Sequence, residues 1–207
     1  QAQNAHAFAV DLGLSTPERP GPAGDCTPAQ ADCLAMPNGQ QDDLGQGEAP
    51  QNVLDLVTFY SANLAVPLRR NVDDPLVLRG KQLFHETGCA SCHRPAYVTR
   101  FDATQEAHRA QLIWPYSDFL LHDMGPGLAD DLRNDRFVGR EWRTPPLWGI
   151  GLAETVAGEA FFLHDGRARN MVEAIMWHGG EAQSARDRFA ALPEPDRDAL
   201  IAFLESL

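Results

Sequence analysis

The sequence predicts a mainly α protein with long irregular loops and an extended N-terminal segment, and three observations carry that prediction. Apolar residues at helical spacing lie directly before a Cys-x-x-Cys-His motif at residues 89–93. A second amphipathic stripe closes the chain, and between the two, proline and glycine recur too often for long regular elements. The chain has 207 residues with 15 Pro and 17 Gly, and is 43% hydrophobic but only 8% aromatic. Such a composition suits one domain, or one domain with an extension, whose core takes apolar surface from a source other than side chains.

Taken in order, residues 1–49 carry turn formers at Pro17, Pro20-Gly21-Pro22, Gly24, Pro28, Pro37-Asn38-Gly39 and Gly45-Gln46-Gly47. This segment reads as an extended, loop-rich wrap packed on the domain that follows. Alone it buries too little to order itself, so Cys26 and Cys33 are expected to close a small disulfide loop, against the alternative of two unrelated free thiols. Residues 50–207 read as the main domain. Val53, Leu54, Leu56, Val57, Tyr60 and Leu64 recur at helical spacing over Gln51–Val66, and Pro67 stops the pattern. The next helix starts at Asp74 or Pro75, with Asp73 or Asp74 as N-cap, and runs to Thr87 before Gly88. Leu76, Gly80, Leu83 and Phe84 share one face of it, and Gly80 allows another helix to cross closely. The crossing partner is expected at Glu194–Leu207, where Leu200, Ile201, Phe203, Leu204 and Leu207 form a stripe. From Tyr97 to Gly158 the pattern is loop with short helices; Asn170–His178 reads as a short helix stopped by Gly179-Gly180, and Ser184–Leu192 as a further turn or two.

The motif Cys89-Ala90-Ser91-Cys92-His93 has the form of a c-type haem attachment site. Two thiols three residues apart on one helical turn can each add to a haem vinyl group, and the adjacent imidazole can supply the proximal nitrogen ligand. A redox Cys-x-x-Cys needs no such histidine, and a zinc site needs a second cysteine pair that this sequence lacks. One covalently bound haem c is therefore expected on Cys89, Cys92 and His93. A sixth ligand could come from His6, His85, His108, His122, His164 or His178, or from Met36, Met124, Met171 or Met176. The net charge of −12 argues against nucleic acid or an anionic membrane surface as a partner and favours a cationic partner or a cationic patch on a redox partner. No apolar run approaches the roughly 18 residues of a membrane span. Any signal peptide lies outside this sequence, and covalent haem with further cysteines points to an oxidising compartment such as the bacterial periplasm.

A helix before Cys-x-x-Cys-His crossed by a C-terminal helix resembles the class I cytochrome c fold. A more specific resemblance rests on three stretches read together: Tyr116-Ser117-Asp118-Phe119-Leu120-Leu121-His122-Asp123-Met124-Gly125, Trp142 through Gly149, and Phe162-Leu163-His164-Asp165-Gly166-Arg167 continuing to Glu173-Ala174 and His178-Gly179-Gly180. With the Ala7-Phe8 to Leu12-Gly13 stretch, these resemble the C-terminal half of the di-haem oxidoreductases, which are similar to bacterial di-haem cytochrome c peroxidases. The family carries two haems on two domains; this sequence has a single Cys-x-x-Cys-His, so the other haem domain is expected elsewhere in a longer protein or on a separate one.

The resemblance implies a distal ligand too. The family's Glu-Ala helix ends in a Met or a Tyr before glycine, and His178 stands at that position here, which implies His93/His178 ligation with Met124 as the alternative. Arg143 and Arg167 are candidates to pair with haem propionates, and Trp142, Trp148 and Trp177 to wall the haem or conduct electrons. Asp123, Asp130 and Asp131 are where calcium would sit, as it does between the family's domains, but a solvated acidic loop is the preferred reading. Two functions follow. A six-coordinate haem would carry single electrons for a redox partner or a second haem domain; an open distal face, with His122 or Glu173 as acid/base, would make a peroxidase or thiol oxidase. The sequence favours electron transfer and names no catalytic residue.

Overall fold

The N-terminal residues are helical where an extended wrap was expected. Helix α1 spans Ala2–Val10 and buries Ala5 and Ala9, one turn apart. Alanine's high helix propensity builds it without the capping residue or broad apolar stripe that pattern reading seeks. A single turn, α2, follows at Ala31–Leu34, and α3 spans Gln51–Ala62, ending before the expected Val66 with the Asn63 side chain donating to the Phe59 carbonyl. The computed structural model describes residues 2–24, 26–40, 47–130 and 139–207. The chain forms two compact units, Gln1–Ala65 and Val66–Leu207, so α3 belongs with the first.

The first unit is stitched by polar groups. The Glu48 carboxylate accepts hydrogen bonds from the Ser15 amide and hydroxyl at 2.9 and 3.0 Å and from the Gly39 amide at 2.6 Å. These bonds, the two backbone amides foremost, hold its pKa below the usual carboxylate value. Cys26 and Cys33 form a disulfide with Cα atoms 5.9 Å apart, the pairing the spacing suggested. Of the apolar residues expected over this stretch, only Leu54 is fully buried; Leu56, Tyr60 and Leu64 are exposed, as is Phe59.

The second unit is built on a helix crossing. Helix α4 spans Pro75–Glu86, with the Asp74 side chain accepting from the Leu76 amide and proline in the first turn. Its buried residues are Val77, Gly80, Leu83 and Phe84. Val77 thus takes the inward place assigned to Leu76, which is exposed: i−3 and i−4 from Gly80 both lie on its side of the helix, apolar residues at both made the stripe ambiguous by one residue, and packing chose Val77. The final helix of the unit, Glu194–Glu205, meets α4 at Gly80. A Cβ built there would overlap the Ala199 carbonyl oxygen and lie 2.7 Å from the Phe203 Cβ, so only glycine fits.

After α4 come two short antiparallel ribbons that pattern reading missed, because strands of two or three residues leave no periodicity to detect. Strands β1 (Tyr97–Val98) and β2 (Leu112–Ile113) pair Tyr97 with Ile113; β3 (Leu121–Asp123) and β4 (Glu141–Arg143) pair His122 with Trp142. Helices α5 (Ala153–Ala157), α6 (Met171–Met176), α7 (Gln183–Ala190) and α8 (Glu194–Glu205) complete the unit. Helix α8 buries Ala199, Leu200, Phe203 and Leu204. Phe84, Tyr116 and Phe203 stack edge-on or tilted, with centroids 5.3–5.8 Å apart, at the centre of this core. Among the described residues no helix is long and apolar enough to cross a membrane.

Candidate functional site

Helix α4 delivers the Cys-x-x-Cys-His motif. Thr87 caps the helix end, its hydroxyl donating to the Leu83 carbonyl at 2.7 Å, and Gly88 turns the chain through a left-handed conformation at φ 87°. A 3₁₀ turn at Cys89–Ser91 follows, and the His93 amide donates to the Cys89 carbonyl at 3.0 Å. Both thiols therefore lie on one tight turn, and neither is in a disulfide. The Arg188 guanidinium donates to the Thr87 carbonyl at 2.8 Å and occupies the space a side chain at Gly88 would need. Burial pushes both thiols up in pKa, and at Cys92 the negative charges of Asp118 and Glu181 push the same way, so both are protonated at neutral pH.

The two histidines expected to be axial ligands lie close together. Their ring centroids are 6.5 Å apart, with the rings inclined at 47°. His93 Nδ1 donates to the Tyr116 carbonyl at 2.9 Å and His178 Nδ1 donates to the Ala174 carbonyl at 2.7 Å. A carbonyl can only accept, so both rings carry their proton on Nδ1 and keep the Nε2 lone pair for a metal. Burial drives both imidazoles toward the neutral form, His93 down to about 4, so the lone pairs persist at physiological pH. Two metal–imidazole bonds of roughly 2 Å each, plus about 1.1 Å from each nitrogen to its ring centre, give a separation of ~6.3 Å. The observed 6.5 Å fits one iron between these rings. Together with the paired thiols, the donor set fits a c-type haem.

The carbonyl that orients His93 comes from a strained segment. Tyr116 and Phe119 are non-glycine residues at φ 51° and 61°. The segment is held in that shape because the Ser117 amide donates to the Arg94 carbonyl, the Asp118 amide to the Cys92 carbonyl at 2.7 Å, and the Ser117 hydroxyl to the Thr144 carbonyl at 2.7 Å. Sequence reading missed Tyr116 because it acts through its backbone; the surrounding Tyr-Ser-Asp stretch was the only visible signal. Ahead of His178, Asn170 caps α6, its side chain accepting from the Glu173 amide at 2.8 Å, and Glu173 pairs with Arg169.

The glycines after His178 do more than end a helix. Side chains at Gly179 or Gly180 would collide with the Met124 and Asp123 carbonyls, and Gly125 has a Cβ position 2.9 Å from the Gly180 amide nitrogen. Backbone thus packs directly on backbone between the end of β3 and the turn following His178. Beside this contact His122 bridges two carboxylates, Nε2 to Asp118 and Nδ1 to Glu181, both at 2.9 Å. Asp118 and Glu181 were not singled out from the sequence; the i, i+4 spacing of Asp118 and His122 was the available sign.

Other expected residues are dispersed. Arg167 pairs with Asp165, donates to the Gly127 carbonyl at 2.6 Å and lies over the half-exposed Trp177 ring at 4.8 Å. Arg143 is exposed on β4 and donates to the Thr144 carbonyl at 3.5 Å. Trp142 stacks on His164 with centroids 3.5 Å apart, and its indole donates to the Leu128 carbonyl. Met124 is half-buried, Met176 is exposed at the end of α6, and His6 and Met36 lie in the first unit. Asp123 pairs with Arg140, while Asp131 lies outside the described residues.

Residues 2–207 match the family described as "Di-haem oxidoreductase, putative peroxidase". No curated protein matches the sequence. A structure of Kuenenia stuttgartiensis hydrazine synthase pressurised with xenon is similar at a TM-score of 0.48 and 20% identity, over 76% of this chain and 55% of that one. The chain thus spans little more than half the length of that neighbour.

Proposed function

Since this chain belongs to the di-haem oxidoreductase family, we propose that it is a c-type cytochrome domain carrying single electrons through one covalently held haem with two histidine axial ligands. The observation that carries this reading is the pair of neutral imidazoles, His93 and His178, 6.5 Å apart with both Nδ1 atoms committed to carbonyls. Cys89 and Cys92 would hold the haem by thioether bonds, His93 and His178 would bind its iron, and the bound group would supply one-electron redox chemistry. Two strong nitrogen donors leave no coordination position for peroxide, which favours a carrier over a peroxidase.

The chain's own residues do the positioning. Tyr116 and Ala174 fix the tautomer and orientation of the two rings, and the Phe84, Tyr116 and Phe203 cluster packs behind His93, with Phe84 6.3 Å from its ring. The family's second haem would sit on another domain, whether in the same protein or a separate one, and that domain or a cationic redox protein is the partner we infer. A bacterial periplasm suits both thioether attachment and the Cys26–Cys33 disulfide.

Visible and EPR spectra of the ferric holoprotein test the proposal. A low-spin bis-imidazole signature is expected, with a reduction potential below that of His/Met cytochromes, and haem should stay with the protein through acid–acetone extraction. His178→Gly should convert the iron to high spin and raise its reactivity with peroxide. A near-infrared thioether band in the wild type would move the distal ligand to Met124, and a high-spin wild type would favour the peroxidase reading.

A further inference from the structure

Between the proximal and distal ligand segments lies a charged triad that the ligand set does not use. His122 places both ring nitrogens 2.9 Å from carboxylate oxygens, Asp118 on one side and Glu181 on the other. Carboxylates only accept, so both nitrogens must donate and the ring is an imidazolium held between two anions. Burial opposes that charge, but the Glu181 and Asp118 hydrogen bonds outweigh it and raise the His122 pKa.

What the triad connects is informative. Asp118 reaches the proximal side, its amide donating to the carbonyl of Cys92, the residue before His93. Glu181 lies three residues beyond His178, in the turn at Gly180–Ala182, and its second oxygen accepts from the Asp123 amide at 3.0 Å. The Gly179-Gly180 backbone rests against Met124 and Gly125 at the same place, which only glycine permits. His178 lies two residues beyond a helix of only six residues with no fully buried side chain, so the helix alone gives it little anchorage. His122 and Asp118 side chains are 16% and 12% exposed, shielded enough for their interaction to outlast salt screening, while Glu181 is 56% exposed.

We propose that Asp118, His122 and Glu181 form a clamp that ties the segment after His178 to the haem-attachment segment and so keeps the distal histidine on the iron. These are positioning residues and touch no reacting atom. The clamp explains why His122, offered by sequence as an acid/base residue, has neither nitrogen free: both are committed to holding two stretches of chain together. It rests on the His178 assignment above and adds to it the means by which that bond is kept closed.

The test uses the ferric holoprotein with cyanide as the probe, because cyanide must displace the distal ligand to bind. Wild-type protein should bind slowly, at a rate limited by release of His178. Glu181→Ala, which removes an exposed arm of the clamp with its bonds to His122 and the Asp123 amide and leaves the fold in place, should raise that rate about tenfold or more, since one charge-assisted hydrogen bond alone accounts for about that factor. His122→Leu should raise it further and add a high-spin component to the EPR spectrum. Glu181→Gln, which keeps an acceptor for the Asp123 amide, should recover part of the wild-type rate. A purely structural role would lower the melting midpoint of these variants without changing the cyanide rate or spin state of the folded protein. Wild-type rates and spectra in both Glu181→Ala and His122→Leu overturn the clamp while leaving His178 ligation standing. A wild-type spectrum that is high-spin or thioether-ligated overturns the ligation, and the clamp with it.

Discussion

The two units of this chain are held together by different physics. In Gln1–Ala65 the fully buried apolar residues described are Ala5, Ala9, Ala49 and Leu54, and the loops converge on one carboxylate and one disulfide. In Val66–Leu207 three aromatic rings and two crossing helices form a continuous apolar core, and polar groups serve mainly to orient the site. A segment too poor in apolar residues to bury its way to order uses directional bonds and a covalent link, whereas one with amphipathic helices relies on close packing. The first should respond to acid and reductant, the second to changes of volume.

The largest effect should come from the helix crossing. Gly80→Leu forces a side chain where a single Cβ already overlaps Ala199, and should destabilise the second unit by about 3 kcal/mol or more. Gly80→Ala sharpens the point: in an exposed helix it stabilises by roughly 1 kcal/mol, and here it should lower the melting midpoint. An unchanged or raised midpoint by circular dichroism would break the contrast between the units.

Next comes the staple of the first unit. Replacing Cys26 and Cys33 with serine should destabilise it by about 2–3 kcal/mol, the chain-entropy value for a loop this short. Hydrogen exchange should rise across residues 13–40 and stay flat in α4 and α8. Equal loosening of both units would show that the two are not held separately.

The smallest effect is that of Glu48. Its folded pKa lies below the ordinary value of 4.5, so its contribution is fully present above that value and lost as pH falls through the folded pKa. Acidification below about pH 4.5 should therefore speed exchange at the Ser15 and Gly39 amides. Glu48→Gln should remove that acid sensitivity and cost about 1–2 kcal/mol at neutral pH, since the carboxylate is partly hydrated. Acid sensitivity that survives the substitution would assign it to another carboxylate.

Much of the second unit was legible in the sequence. Asp74, Pro75 and Gly88 mark the ends of α4 by their own backbone preferences, and Gly80 beside Phe84 marks a close crossing, because these are local properties of single residues. The inward face came out right at Gly80, Leu83 and Phe84, and wrong at Leu76, where two adjacent apolar residues competed. Helix α1 escaped notice because alanine carries propensity without pattern. The Tyr116 carbonyl and the Asp118, His122 and Glu181 triad were hidden for another reason. A backbone acceptor has no residue type, and the triad joins groups 59 positions apart whose meeting depends on the Gly179-Gly180 contact.

The crossing at Gly80 also orders events in time. Arg79 and Asp196, which pair beside it, are 117 residues apart in sequence, so the core behind Cys89 and His93 closes only after nearly the whole unit has been synthesised and its longest loop has been formed. Contacts so distant form late and slowly. Until then the turn bearing Cys89 and Cys92 is not yet backed by its core, and the thioether attachment proposed above would find both thiols accessible in that interval before α8 seals the helix that carries them.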